Sequence, residues 1–270
     1  MARFSSGYTH GLAGLLPGLD PGKRLPIDIF NRLDYAVQFV DFLRLEDYST
    51  TADDPWVEDD IGTPTAATVF LDDDGAVCPT GAVILNAGTA DSTGIQTQYT
   101  GAAGLGEFVV PTDNKVFAFG CRFTTAGTGA ESLSGLMLGT GITDNTSLST
   151  SGTIITADIL SFMSSTTSSL TSFQARRSSG SGTGSITMGT LVHGVWNEYA
   201  FVCDVKDISD DTANGRIYTY RREANGLWTL TGTVDNTIPN TNLCLTYGAV
   251  NGIGTDSDVY LDYTWVALGR

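Results

Sequence analysis

Regular alternation of apolar and polar residues is the clearest pattern in this chain. In "KVFAFGCRF" (115–123) the apolar positions run from Phe117 to Phe123 at every second residue, and "NEYAFVCDV" (197–205) repeats this spacing. A period of two places alternate side chains on one face of a β-strand. Both segments are therefore predicted to be strands that bury one face.

A hairpin and two further strands are predicted toward the C-terminus. In "GRIYTYRREANGLWTLTG" (215–232), two β-rich runs flank Asn225 and Gly226, a dipeptide that tolerates the positive φ of a tight hairpin turn. Alternation marks one more strand around residues 243–247. The last predicted strand has its apolar positions at Val259, Leu261, Tyr263 and Trp265.

Polar, low-complexity stretches separate these strands. They are "TTAGTGAES" (124–132), "GITDNTSLSTSGT" (141–153) and "RRSSGSGTGSITMG" (176–189). Each has too few apolar residues to pack on its own, so we expect loops or short polar edge strands there.

Residues 28–43 allow two interpretations. Asp28 can cap a helix whose apolar positions recur at helical intervals from Ile29 to Val40. The segment "DYAVQFVDFL" (34–43) also fits the alternation of a strand. The pattern favours a short helix near residues 28–36 that leads into an extended segment.

The composition supports an all-β chain with a single core. Thirty-two glycines and few long helical periodicities favour strands and turns. A chain of 270 residues can bury roughly 70–75 per cent of its unfolded surface, so a second domain is not required. No fixed repeat length appears, which disfavours propellers and solenoids.

The charge is strongly acidic and unevenly distributed. The net charge is -16, which would repel a phosphate backbone, so nucleic acid is not an expected partner. Residues 1–33 carry four basic and two acidic residues, a balance of +2, and the rest of the chain carries -18. A basic leader on an acidic body suggests an arm that lies on another acidic surface, such as a neighbouring subunit, with a disordered tail as the alternative.

Targeting segments and cysteines restrict the compartment. The leader's apolar run is broken at Pro17 without a cleavage pattern, and no window approaches about 18 apolar residues, so neither a signal peptide nor a membrane span is expected. The cysteines lack the close pairs that zinc sites use. We expect buried free thiols, in a protein assembled in a reducing cytoplasm, at Cys78, Cys121, Cys203 and Cys244.

From residue 34 to the end, the order of features resembles the concanavalin-like (laminin-G-like) jelly-roll proteins in the virions of tailed bacteriophages. The resemblance rests on "FVDFL" (39–43) followed by Trp56, on "GAVILNAGTADSTGIQTQY" (81–99), and on the strand patterns "DILSFM", "HGVWNEYAFVCDV" and "YLDYTWVAL". It implies a β-sandwich of two antiparallel sheets, residues 34–270, behind an N-terminal arm, residues 1–33. Such patterns of core and turn residues identify a fold better than a function.

The resemblance implies a structural role in a phage particle and no catalysis or cofactor. The expected function is that of a capsid decoration or cement protein, assembled in the host cytoplasm and located on the capsid surface. Its expected partners are the major capsid protein and copies of itself, as a homotrimer. The arm residues expected to bind the capsid or a neighbouring subunit are Arg3, Leu12, Leu15, Leu16, Leu19, Lys23 and Arg24.

The same fold carries hydrolases and lectins, which make different demands on the sequence. A retaining glucanase needs E-x-D-x-x-E on one strand, but the run that begins at Glu58 has Thr63 in the last position. His10 and His193 have no G-x-S-x-G partner motif. An enzyme is therefore not expected. A glycan-binding adhesion module that contacts a cell-surface sugar through Trp56 and Trp228 remains the alternative.

Two acidic runs are calcium candidates. Calcium prefers clustered carboxylate and carbonyl oxygens, but the loop pattern D-x-[DN]-x-[DN]-G with its trailing glutamate is absent. Charge runs on a solvated face are the favoured interpretation, so no metal is expected. The candidate residues are Glu58, Asp59, Asp60, Asp72, Asp73 and Asp74.

Overall fold

The computed structural model is built from β-strands, and the residues it describes contain no helix. The described residues are 35–40, 56–63, 68–72, 82–99, 108–109, 116–126, 134–142, 147–155, 158–177, 183–205, 215–235, 237–252 and 258–269. The proposed arm and the helix interpretation of residues 28–34 lie outside them.

Sheet A has the strand order β14-β13-β12-β7-β16-β4-β3, and β1 pairs with β16 beside β4. All of its ladders are antiparallel. Its strands are β1 (Tyr35–Val40), β3 (Thr68–Asp72), β4 (Ala82–Asn86), β7 (Val116–Ala126), β12 (Asn197–Val205), β13 (Gly215–Arg222), β14 (Trp228–Asp235) and β16 (Asp258–Gly269).

Sheet B has the order β11-β10-β9-β8-β15-β5-β2, and β6 pairs with the start of β15. Its ladders are antiparallel as well. Its strands are β2 (Trp56–Ile61), β5 (Gly94–Tyr99), β6 (Phe108–Val109), β8 (Gly135–Gly141), β9 (Ile159–Ser165), β10 (Ser168–Arg176), β11 (Thr183–Thr190) and β15 (Asn242–Val250).

One apolar core lies between the two sheets. Phe162 of sheet B is fully buried and packs on four aromatic rings at centroid distances of 5.2 to 6.4 Å: Phe119, Phe173, Tyr199 and Phe201. Rings at such distances attract one another beyond the gain from burial alone. Two antiparallel sheets around this core form a concanavalin-like jelly-roll β-sandwich, which confirms the predicted fold class.

The alternating segments form strands where they were predicted. "KVFAFGCRF" supplies β7 and "NEYAFVCDV" supplies β12, and the two strands pair with Phe119 opposite Phe201. The polar stretch 176–189 contains β11, an edge strand with mostly exposed or half-buried residues. The expectation of a polar edge strand is confirmed there.

Two local predictions were wrong in part. Residues 35 and 36, assigned to a short helix, belong to strand β1, so the competing strand interpretation applies from Tyr35. In β16 the register shifts between Leu261 and Tyr263. Val259 and Leu261 therefore join the core, whereas Trp265 pairs opposite Gly120 on the other face. A bulge adds one residue and reverses the alternation beyond it.

The predicted hairpin forms through a three-residue connection between Glu223 and Leu227. Glu223 N donates to Leu227 O and Gly226 N donates to Glu223 O, both at 2.8 Å. Only Gly226 of the Asn-Gly dipeptide has positive φ, at 80°. This is the geometry of a type I turn followed by a left-handed glycine.

The edges β11 and β14 of the two sheets meet along one side of the sandwich. Gly184 lies so close to Val234 that a Cβ would collide with it, and a Cβ at Gly232 would lie 2.9 Å from Ile186 Cδ1. Arg221 Nη1 also donates to Met188 O at 3.0 Å across this junction. The two edges thus cover each other.

Three of the four cysteines lie in the described residues, and all three are buried free thiols, as predicted: Cys121, Cys203 and Cys244. Burial raises the pKa of Cys121 and of Cys203 well above the ordinary value. Both thiols therefore remain protonated and unreactive at neutral pH. Cys78 lies outside the described residues.

Candidate functional site

A groove of about 260 Å³ lies on the outer face of sheet B, the face that points away from the core. Phe173 and Ala175 of β10 point into the core, so their neighbours Ser172, Gln174 and Arg176 point outward into the groove. The remaining lining comes from the β9–β10 hairpin and from a loop that includes Gly152, Thr153 and Ile154.

Residues 147–155 form that loop and cross the outer face of sheet B. Leu148 packs over Gly248, where a Cβ would lie 2.6 Å from Leu148 Cδ1. Ser147 N donates to Gln96 Oε1 at 2.8 Å, and Thr166 Oγ1 donates to Ser151 O at 3.1 Å. These contacts hold the loop on β5, β15 and the β9–β10 turn, so the groove has a fixed wall.

Three hydroxyl groups cluster at the exposed tip of the loop. Ser149 Oγ lies 2.9 Å from Ser151 Oγ and 2.7 Å from Thr153 Oγ1, and the latter two oxygens are 3.2 Å apart. Each hydroxyl both donates and accepts, so the cluster can exchange hydrogen bonds with a polar ligand or with water.

The groove combines polar floor residues with apolar ones. Gln174 Nε2 donates to Ser172 Oγ at 3.1 Å and lies 3.4 Å from Ser185 Oγ. Leu170 is 46% exposed, and Met163, which also lines the groove, is buried. Hydroxyls and an amide beside an aliphatic surface suit a ligand that has both polar groups and C–H faces.

Arg176 is the one charged residue among the described residues that line the groove. Its Nη1 donates to Ile154 O at 3.3 Å, and its Nε is enclosed without an acceptor among the described residues. Guanidinium carries five N–H donors, so most of its hydrogen-bonding capacity remains for a ligand or water.

A second polar cluster lies on the outer face of sheet A, around Glu198. Arg222 Nη1 donates to Glu198 Oε2 at 2.7 Å, and Tyr263 Oη donates to the same oxygen at 3.0 Å. Arg122 Nε lies 3.7 Å from Glu198 Oε1, and its Nη1 donates to Asp262 Oδ2. Burial, followed by the nearby Glu198 charge, raises the pKa of Tyr263, which therefore stays a donor.

Ion pairs occupy the carboxylates of this network. Arginine side chains bind both of its carboxylates: Arg222 and Arg122 contact Glu198, and Arg122 contacts Asp262. Arg122 also stacks on Trp196, 4.6 Å from the ring centre, which fixes the cation further.

Glu198→Ala is expected to lower the free energy of unfolding by about 2 kcal/mol, because Arg222 and Tyr263 lose a charged acceptor in a partly buried site. Asp235→Ala is the matched control, since the Arg216–Asp235 pair is 50% exposed on both sides and solvent screens it, so its loss should matter much less. Urea unfolding of both variants measures the difference. Equal losses would contradict a structural role for the Glu198 network.

The predicted sugar-contacting tryptophans are buried. Trp56 is 3% exposed and packs against Tyr99 and Tyr247 at centroid distances of 5.1 and 5.4 Å. Trp228 is 5% exposed. Neither ring therefore presents a face on which a sugar could stack.

The acidic run on β2 is divided between two faces. Glu58 and Asp60 pair opposite Thr97 and Ile95, on the core side of sheet B, and Asp59 points to the opposite face. In the described part of the chain, no three His, Cys, Asp or Glu residues are grouped closely enough to hold a metal ion. The side chains of Asp72, Asp73 and Asp74 lie outside the described residues.

His193 lies in the turn between β11 and β12. Both ring nitrogens are enclosed and have no hydrogen-bond partner among the described residues. No serine or cysteine nucleophile is therefore paired with it there. The arm residues from Arg3 to Arg24, together with His10, lie outside the described residues.

The part of the chain that the structure describes contains no helix with the length and hydropathy of a membrane span.

The groove itself was not predicted from the sequence. Its wall comes from a stretch that was assigned only as a polar loop, and its floor from the alternation Ser172, Gln174, Arg176. That polar alternation opposite Phe173 and Ala175 was the available signal. The loop's position over the sheet depends on contacts between residues far apart in sequence, such as Leu148 with Gly248.

Several solved structures of other proteins resemble this fold. An endo-1,3-β-glucanase from Streptomyces sioyaensis is 10% identical with a TM-score of 0.49, over 89% of this chain and 99% of that one. Peanut lectin is 9% identical with a TM-score of 0.44, over 86% and 97%. A carbohydrate esterase from the Shiga toxin-encoding bacteriophage phi24B is 12% identical with a TM-score of 0.42, over 80% and 90%.

No family model and no curated protein matches the sequence. Structural similarity at this level of identity and TM-score does not carry over an activity or a ligand.

Proposed function

We propose that this protein is a non-catalytic structural protein of a bacteriophage particle, a capsid decoration or cement protein that binds the outer shell and stabilises it. The observation that carries the proposal is the pairing of β1 with β16. The strand that directly follows the leader is hydrogen-bonded along six residues to a central strand of sheet A. A load on the leader is therefore transmitted straight into the sandwich.

The geometry of this attachment suits a cement protein. In an antiparallel ladder, a pull along the strand acts on all the inter-strand hydrogen bonds together. The other side of β16 is paired with β7 over ten residues, which supports it against movement. An arm that carries Leu12, Leu15, Leu16 and Leu19 and is fixed to such a sheet can connect a rigid body to a shell.

The surroundings of Glu198, Asp262 and His193 support a non-catalytic role. The carboxylates of Glu198 and Asp262 are bound by arginines, and His193 has no nucleophile beside it. Affinity for the shell would come from several copies that bind at once, as a homo-oligomer such as a trimer, because multivalency multiplies weak contacts.

Binding of the full-length protein to shells that lack it tests the proposal. A variant in which four arm leucines are all changed to serine is expected to co-sediment with the shells at least tenfold more weakly, since the arm loses its apolar contacts. The four positions are Leu12, Leu15, Leu16 and Leu19. Leu227 and Leu230, which are exposed on the sandwich, provide the matched leucine-to-serine control. Unchanged binding of the arm variant would contradict the proposal.

A glycan-binding adhesion module is the second candidate, and the groove on sheet B favours it. Seven of the eleven lining residues are polar, and Leu170 adds an exposed aliphatic surface. This lining suits a saccharide. A particle can use both functions, because the groove lies on the opposite sheet from the β1–β16 attachment.

A further inference from the structure

Arg176 differs in its partners from four other arginines of the described residues, which form ion pairs. Four arginines each pair with a carboxylate: Arg122, Arg216, Arg221 and Arg222. Arg176 pairs with no carboxylate among the described residues, although acidic residues outnumber basic ones 30 to 14 in the chain. It instead borders the groove, with a single 3.3 Å hydrogen bond to a backbone carbonyl.

An arginine in this position has a chemical preference. Guanidinium binds planar or tetrahedral anions through several N–H groups at once, and such charge-assisted bonds are about twice as strong as neutral ones. No acidic residue lines the groove among the described residues, so no internal carboxylate competes for Arg176 there. The groove therefore favours a ligand with a negative group.

The other residues that line the groove indicate which kind of molecule carries the negative group. One open groove contains an amide, that of Gln174, and several hydroxyl groups. The hydroxyls belong to Thr153, Ser165, Ser168 and Ser172. These groups match the hydroxyls of a sugar. Leu170 offers an aliphatic surface for the C–H face of a ring.

The charge of the whole protein sets an upper limit on the charge of the ligand. The net charge of -16 repels a polyanion, and one arginine compensates one negative group. A glycan with isolated anionic residues between neutral ones avoids most of that repulsion, because screening confines interactions at physiological salt to about 8 Å.

We infer that the groove on sheet B is a binding site for a monoanionic sugar within an otherwise neutral glycan, with Arg176 as the residue that binds its negative group. The inference rests on the glycan-binding candidate and is independent of shell binding through the arm. The groove residues hold the neutral part of the sugar, and Arg176 provides the preference for a charged over a neutral ligand.

Titration calorimetry with three related probes tests the inference on the full chain: sialyllactose, sulfated lactose and lactose. The wild-type protein is expected to bind one or both charged sugars at least tenfold more tightly than lactose. Arg176→Ala should reduce their affinity to that of lactose. Arg176→Lys, which keeps the charge, should retain part of the preference.

Arg216→Ala is the matched control, because it removes an arginine from sheet A, away from the groove, and should change nothing. A preference for sialyllactose would assign a carboxylated sugar, and a preference for sulfated lactose a sulfated one. Equal binding of charged and neutral sugars, a preference that persists in Arg176→Ala, or no binding of any probe would overturn the inference. Shell binding of the same preparations shows whether the cement function stands by itself.

Discussion

Phe162→Ala is expected to lower the free energy of unfolding by about 4 kcal/mol, the largest effect of any single change considered for this protein. Phe162 is fully buried, and its ring contacts Phe119 and Phe201 of sheet A as well as Phe173 of its own sheet. Truncation removes the apolar surface and leaves a cavity between the sheets. Neighbouring rings fixed by their own contacts cannot fill it.

Chemical denaturation and the thermal midpoint measure this loss. Phe162→Leu keeps most of the volume and should cost about 1 kcal/mol. Leu227→Ala, at a site that is 43% exposed, should cost less than about 0.5 kcal/mol. A loss of less than 2 kcal/mol in Phe162→Ala would mean that the sheets do not share a close-packed core at this point.

Gly139→Ala is expected to cost about 3 kcal/mol, because the new methyl group meets main chain rather than side chain. A Cβ at Gly139 would collide with Leu160 O and lie 2.6 Å from Ser161 Cα, both in the neighbouring strand β9. Rotamer changes cannot relieve contacts with backbone atoms, so β8 and β9 must separate. The groove wall above them should loosen as well.

Gly141→Ala provides the control in the same strand and on the same face. The nearest atom to its Cβ would be Met137 Cε at 3.3 Å, at the end of a flexible side chain. This variant should be neutral or slightly more stable, since alanine restricts the unfolded chain. Differential scanning calorimetry measures the thermal midpoints of Gly139→Ala and Gly141→Ala. Similar midpoints for the two variants would contradict the backbone contact at Gly139.

The fold was largely predictable because its strands carry their pattern locally. Phe117 to Phe123 and Tyr199 to Val205 alternate without interruption, and each set faces the core. The bulge near Asp262 was not predictable, because apolar residues stand on both sides of it in sequence. Only pairing with β7 reveals that Trp265 has changed face.

The site was harder to predict than the fold, for a physical reason. Aromatic rings were taken as sugar contacts, but Trp56 gains more by burial against Tyr99 and Tyr247 than by exposure. The groove is instead made of serine, threonine and glutamine residues. Such residues occur in any loop, and only the crossing of residues 147–155 over sheet B gives them a shared location.

The position of β16 in sheet A has a consequence for the order of events during synthesis. This strand, Asp258–Gly269, lies between β7 on one side and β4 and β1 on the other. Until it leaves the ribosome, β7 has a vacant edge and β1 has no partner. Sheet A can therefore be completed only after residue 269 has been translated, and shorter nascent chains leave these strand edges unpaired.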